Sequence, residues 1–292
     1  LNTEWQTDHA SFDDVPADRL MASVAGRRDW ADFNRLHLTR HTRYLQGLLE
    51  KYRLRPHPGF VKFMPDPVRN PNAWAQGCDW EAVTEFMDLA GYDSGNKTEP
   101  MTADYFWSIG GDKPPVNGEV HFDWHPDAAP WAAQWRLLAH GVDLMVYWEW
   151  RRPYRLAQKR GYPTLEPYSL YRTARATLDQ YRLVKPLTHL ASQPRRVAIL
   201  HTLDALTLDT RPFLDTMRES YDALQWTQTP IRFITERQIV RGDLKPDDID
   251  MLIVPAVKHI DPKTVALIHR YLERGGSIVA VGDVLKRDTA GR

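Results

Sequence analysis

The sequence predicts an α/β protein in two regions, and three observations carry that expectation. From Trp30 to Trp148, short apolar stretches alternate with helical ones at the spacing of parallel strand–helix–strand units. From Arg196 onward, buried-type strands alternate with amphipathic segments in a doubly wound pattern. Between them, Lys185 to Arg195 is largely polar and carries Pro186 and Pro194, the composition of a boundary. The regions are therefore expected to span 1–188 and 189–292.

In the first region, Trp30 to Lys51 reads as a helix with Trp30, Phe33, His37, Tyr44 and Leu48 spaced for one face. Gly59 to Met64 is a candidate strand, framed by Pro58, Pro65 and Pro67. Asp79 to Glu85 suits a short helix leading into a strand at Phe86 to Ala90. A third strand is expected at Val116 to Val120. Trp131 to Gly141 reads as a helix stopped by its glycine, and Val142 to Trp148 as a fourth strand. A complete (β/α)8 barrel needs eight strands and typically about 250 residues. Four strands leave two alternatives, a small open sheet or the back half of a barrel.

The second region is clearer. Strands are expected at Arg196 to Leu200, Ile231 to Ile234, Met251 to Val254 and Ser277 to Val281. Phe213 to Leu224 and Pro262 to Arg274 fit helices, the latter closing on Gly275-Gly276. No G-x-G-x-x-G fingerprint occurs, and no cysteine lies in this region, so neither a dinucleotide site nor a thiol nucleophile is expected there.

Composition narrows the function classes. The 38 basic and 38 acidic residues cancel, leaving no electrostatic footprint for nucleic acid or an anionic membrane. No apolar run approaches the roughly 18 residues of a membrane span. No signal peptide is visible, which points towards the cytoplasm, although the chain opens on Leu1 rather than Met. The single cysteine, Cys78, excludes an intrachain disulfide and a thiolate metal cluster. Of the eleven tryptophans, all but Trp226 precede residue 151. Tryptophans fill large cores, and they also pack on the apolar faces of sugars.

Glu119 lies at the end of an expected strand, in Gly118-Glu119-Val120-His121-Phe122-Asp123-Trp124. Catalytic groups of barrel enzymes come from such strand ends. A carboxylate there, with Tyr92 and Trp124 on neighbouring loops, suits retaining glycoside hydrolysis. In that chemistry one carboxylate attacks the anomeric carbon, while a second protonates the leaving oxygen and then activates water. On spacing alone, a single glutamate near a strand end is more often a salt-bridge partner than a catalytic group. Glu149 is a rival carboxylate, but alternation places it on the opposite strand face from Trp148 and Trp150, beside Arg151 and Arg152. His121 and His125 are four apart, but Asp123 and Pro126 imply a loop, so no metal or cofactor is expected. Asp88 and Asp143 open their strands as caps or ion-pair partners.

Five segments together resemble glycoside hydrolase family 42, the β-galactosidase family. Leu1-Asn2-Thr3-Glu4-Trp5 is similar to its "LN-x-x-W" segment, and Met87 to Asp93 to its "DVVSYD" strand. Glu119 with Trp124 resembles the nucleophile segment "E…NW". Ala139 to Asp143 with Tyr147 to Arg151 resembles "AHGAD…F-x-W-R". Asp250 to Val281 is similar to the end of the family's trimerisation domain, and the order of all five agrees.

The resemblance implies the C-terminal half of a (β/α)8 TIM barrel followed by a flavodoxin-like or amidotransferase-like α/β domain that forms a homotrimer. It implies Glu119 as nucleophile, with Tyr92, Trp124, Trp148 and Arg151 shaping a carbohydrate site. The family's acid/base is a Glu preceded by Asn, and no Asn-Glu dipeptide occurs here, which places that residue upstream. The chain alone is then expected to be inactive. From Arg152 to Tyr171 the family's sugar-binding Glu and His pair is missing, with only Glu166 present, which puts galactose specificity in question. The expected activity is retaining hydrolysis of a terminal β-galactoside or related β-glycoside. The alternatives are a non-catalytic carbohydrate-binding or assembly protein, and a clan relative acting on another polysaccharide such as an algal galactan.

Overall fold

The computed structural model describes residues 8, 10–11, 14–15, 21, 23–52, 58–64, 66–93, 99–121, 130–148 and 167–292. The chain forms two compact units: Arg53–Asp66 with Val83–Pro194, and Leu1–Tyr52 with Pro67–Ala82 and Arg195–Arg292.

Both units are built on parallel sheets, the mixed α/β class the sequence predicts. In chain order the elements begin with helix α1 (Val24–Tyr52), a 3-10 turn at Ala73–Gln76 and helix α2 (Trp80–Thr84). Strand β1 (Ala90–Tyr92), helix α3 (Glu99–Gly110), strand β2 (Pro115–His121), helix α4 (Pro130–Ala139) and strand β3 (Leu144–Trp148) follow. Helices α5 (Pro167–Arg182) and α6 (Val184–Ala191) lead to strand β4 (Val197–His201). Then come α7 (Leu203–Leu208), α8 (Thr210–Trp226), β5 (Ile231–Thr235), α9 (Glu236–Arg241), β6 (Met251–Pro255), α10 (Pro262–Glu273) and β7 (Ser277–Val281).

The first sheet runs β1-β2-β3, all parallel, with α3 and α4 as the crossovers. Its core is aromatic: Tyr92 stacks on Phe106 with ring centroids 4.9 Å apart, and Phe63 and Tyr105 close around the same ring. Four features of this unit differ from the sequence expectation. The strand expected at Phe86 to Ala90 begins only at Ala90, because Phe86 and Met87 turn off α2 through amides bonded to Val83 and Thr84. Gly59 to Met64 is extended but outside the sheet ladders, tied to the β1 region at its two ends. Gly59 O accepts from the amides of Asp88 and Leu89, and Phe63 O accepts from Asp93. Helix α3 was not foreseen, since Met101, Ala103, Tyr105 and Phe106 are buried beside Thr102 and Asp104 and leave no polar stripe. The expected linker at Lys185 to Arg195 is largely helix α6, which buries no residue and so reads as polar linker.

The second sheet runs β5-β4-β6-β7, again all parallel. Strand β4 is central, with Ala198, Ile199 and Leu200 fully buried, which is why these strands are continuous apolar runs. A capping box at Thr235 and Gln238 starts α9, and Gly242 in the left-handed region ends it. In the same unit, α1 buries Ala25, Ala31 and Arg35. The face expected to be buried is outward: Phe33 is 58% exposed, and Trp30 and Tyr44 are also exposed. Trp30, Phe33 and His37 stack on one another along that outer face. The spacing identified one face, but the small residues and Arg35 are the ones that reach the core.

Candidate active site

Glu119 lies near the C-terminal end of β2, and the local backbone explains how it is presented. Asn117 pairs with Met145 and Val120 with Tyr147, so Gly118 and Glu119 together face the single residue Val146. This is a β-bulge, a device that re-aims a side chain at a sheet rim. The Glu119 amide, displaced from the ladder, is taken up at 3.0 Å by Oδ1 of the fully buried Asn117. Gly118 is required by its neighbour, because a Cβ there would sit 2.8 Å from Cγ of Lys62. The lysine stem lies across this glycine and delivers its ammonium to the carboxylate.

Lys62 Nζ donates to Glu119 Oε2 and lies 3.5 Å from Asp93 Oδ2. The Glu119 and Asp93 side chains are 12% and 9% exposed and Lys62 34%, so the cluster is reached from solvent past the lysine. Burial disfavours the ammonium, but the hydrogen bond to Glu119 and the charges of Asp93 and Glu119 outweigh it and hold the Lys62 pKa above the ordinary lysine value. Lys62 therefore stays charged at neutral pH. An ionised, oriented carboxylate at a strand end is the form that nucleophilic attack needs.

The other expected site residues fare differently. Tyr92, expected on a loop, is the last residue of β1; its side chain is buried against Phe106, and it is the next residue, Asp93, that meets Lys62. Trp148 ends β3 with its backbone paired to His121. Trp124 and Arg151 lie outside the described residues, as do Glu149, Glu166 and the Leu1 to Trp5 segment. Lys62 and Asp93 were not foreseen; the one signal for Lys62 is Gly118, whose missing side chain leaves room for it. Asp88 is a cap: its Oδ2 accepts the Gly59 amide at 2.7 Å. Among the described residues, no three His, Cys, Asp or Glu side chains gather to hold a metal. Burial pushes the Cys78 thiol up to about 12, so it offers no thiolate at neutral pH. No helix among the described residues is long and apolar enough to cross a membrane.

In the second sheet the strand ends are filled from within the unit. Parallel sheets of this kind bind ligands outside the C-terminal strand ends. Here Arg35, 4% exposed, donates to the Leu203 carbonyl at 3.2 Å and to Thr207 Oγ1 at 2.5 Å, just beyond β4. Arg28 Nε lies 2.8 Å from Asp204 Oδ1. Asp209 accepts from the amides of Lys258 and His259 and from the His259 ring at 2.8 Å, tying the loop after β6 to the start of α8. These groups hold elements together.

No protein-family profile matches the chain, and no curated protein does. Solved structures do. The apo exo-carrageenase GH42 from Bacteroides ovatus aligns with a TM-score of 0.80 over 100% of this chain and 44% of its own, at 19% identity. A GH42 β-galactosidase from G. stearothermophilus gives 0.72 over 99% and 47%, at 16% identity. A β-galactosidase from the Antarctic haloarchaeon Halorubrum lacusprofundi gives 0.63 over 100% and 48%, at 15% identity. The chain has the fold of the corresponding part of these enzymes and spans about half their length.

Proposed function

We propose that the chain is part of a retaining glycoside hydrolase of the family 42 type, with Glu119 as its nucleophile. The observation that carries this reading is the bulge of β2, which turns Glu119 into a cluster with a charged lysine and a second carboxylate. The fold likeness to GH42 enzymes over nearly the whole chain supports it. In this reading the second half of the barrel falls within residues 1–188, of which Leu1–Tyr52 and Pro67–Ala82 group with the second sheet, and Gly59 to Met64 with β1 to β3 take the places of strands five to eight. Residues 189–292 form the trimerisation-type domain, flavodoxin-like in strand order. The acid/base carboxylate lies upstream in the longer protein, so this chain alone does not hydrolyse glycosides. Tyr92, Trp124, Trp148 and Arg151 belong to the sugar pocket, Tyr92 as the packed support that positions Asp93.

The chemistry follows from the cluster. Glu119 attacks the anomeric carbon and forms a glycosyl ester as the aglycone oxygen leaves with a proton from the acid/base. Water, deprotonated by the same group, then releases the sugar with net retention. Lys62 donates to Glu119 in the free enzyme and turns to Asp93 as the carboxylate charge is lost in the ester.

A second reading differs in substrate only: a polysaccharide such as an algal galactan in place of a simple β-galactoside. It is favoured by the exo-carrageenase giving a higher TM-score than the two β-galactosidases, and by the altered segment from Arg152 to Tyr171.

Azide rescue tests the assignment. In the full-length protein, Glu119→Ala is expected to lower turnover by on the order of 10³-fold or more. Azide should restore activity and yield a glycosyl azide of inverted anomeric configuration, because the anion occupies the vacated nucleophile position. A retained glycosyl azide would make Glu119 the acid/base, and full activity without azide would remove it from the reaction.

A further inference from the structure

A regular strand would not bring Glu119 to Lys62. Side chains two residues apart share a sheet face, so Glu119 would point the same way as Asn117. The face of Asn117 is fixed by its partners in register, Tyr92 on β1 and Met145 on β3. Tyr92 stacks on Phe106 of α3, so that face looks towards the helices. The next ladder pair past the bulge, Val120 with Tyr147, lies there too, because Gln134 of α4 donates to the Tyr147 hydroxyl. Asp93, directly after Tyr92, turns to the opposite face, and there it meets Lys62.

Glu119 reaches the Asp93 side because the bulge inserts an extra residue between the paired positions Asn117 and Val120. A shift of one residue exchanges the two faces of a strand. Gly118 turns the same way, since a Cβ on it would point at the Lys62 stem. The exchange takes the Glu119 amide out of the ladder, and Asn117 Oδ1 accepts it at 3.0 Å from within the same strand. Asn117 is fully buried, as are Val116 and Val120 of the same strand. An amide side chain costs stability in such a place unless its polar atoms are used.

We propose that Asn117 is the positioning residue of the nucleophile: by accepting the displaced amide it holds the bulge, and the bulge selects the face on which the Glu119 carboxylate acts. The proposal rests on the reading of Glu119 as nucleophile and adds the residue that acts through it. Without the Asn117 acceptor the Glu119 amide loses this bond, and a backbone shift that finds another carries the carboxylate with it. A misplacement of about 1 Å at a reacting group costs on the order of 10²-fold in rate. Serine keeps an acceptor, because its hydroxyl also bonds the amide two residues on, more weakly than asparagine does. Alanine keeps none.

The test is a double-mutant cycle in the full-length protein, with an aryl β-galactoside as substrate and azide as the external nucleophile. Asn117→Ala should lower kcat by roughly 10- to 100-fold with KM within about twofold of the unmodified protein, because the interaction lost is one made only in the transition state. Asn117→Ser should recover most of that loss. In the Glu119→Ala protein the carboxylate is gone, so adding Asn117→Ala should leave the azide-supported rate unchanged within about twofold. Cooperative thermal unfolding verifies that each variant folds. Should Asn117→Ala not fold, the cycle is run with Asn117→Ser, whose smaller loss should vanish in the same way. Full activity of Asn117→Ala, no recovery by Asn117→Ser, or a loss carried undiminished into the azide reaction overturns the proposal and leaves the role of Glu119 standing. Full activity of Glu119→Ala without azide overturns the nucleophile assignment, and this proposal with it.

Discussion

The two sheets follow the same parallel α/β construction and use their C-terminal strand ends in opposite ways. At the end of β2, a bulge turns Glu119 out of the ladder, and Lys62 gathers it with Asp93 where solvent reaches the lysine. Beyond β4, the equivalent space receives Arg35 and Arg28 from α1, and their hydrogen bonds are spent on a carbonyl, a hydroxyl, Asp32 and Asp204. Charge at a strand end is thus gathered into a partly exposed cluster in one unit and spent on fastening elements together in the other. Arg35 is 4% exposed and reaches a backbone carbonyl and a hydroxyl, whereas Lys62 is 34% exposed and meets two carboxylates.

If the Arg35 fastening is structural, removing it should be the larger stability perturbation. Arg35→Met keeps the stem and leaves the Leu203 carbonyl and Thr207 hydroxyl without their charged donor. It is expected to cost roughly 3 kcal/mol in chemical denaturation, the range for breaking a buried charge-assisted network. A cost within experimental error would mean that the Arg35 hydrogen bonds do not hold α1 in place.

A smaller and pH-dependent effect is expected at Glu236, the first residue of α9 in the same unit. Burial, then the charge of Asp204, raises its carboxyl pKa from 4.5 to about 8. The folded pKa lies above the unfolded one, so between these values the folded state keeps a proton that the unfolded state has lost. Stability therefore falls as pH rises from about 4.5 to about 8 and levels off above. Glu236→Gln should remove that slope and stabilise the protein at pH 8 by on the order of 1–2 kcal/mol, less than the full shift because the pair with Asp204 relaxes. Parallel pH–stability curves for the two proteins would show that Glu236 ionises freely in the fold.

The sequence reveals the two units unequally, for physical reasons visible in particular residues. The strands of the second sheet were legible because β4 and β6 are buried on both faces, so Val197 to Leu200 and Met251 to Val254 are unbroken apolar runs. Expected strand Val116 to Val120 appears as Pro115–His121, and Val142 to Trp148 as Leu144–Trp148. Phe86 and Met87 misled because burial in a turn and burial in a strand demand the same apolar residues. The outward face of α1 misled for the opposite reason, since aromatic residues at helical spacing need not be the ones that face the core. At the site, Glu119 could be singled out from its strand-end position and its family resemblance. Lys62 could not, because its approach depends on the register of a segment 57 residues away and on the bare surface of Gly118.

The assignment of Glu119 is tested most directly by trapping the intermediate. The full-length enzyme should be incubated with a 2-deoxy-2-fluoro-β-galactoside bearing a good leaving group, then digested and mapped by mass spectrometry. The account predicts time-dependent inactivation with one fluorosugar ester, on Glu119. An ester on Glu149, on Asp93 or on any other carboxylate would contradict it.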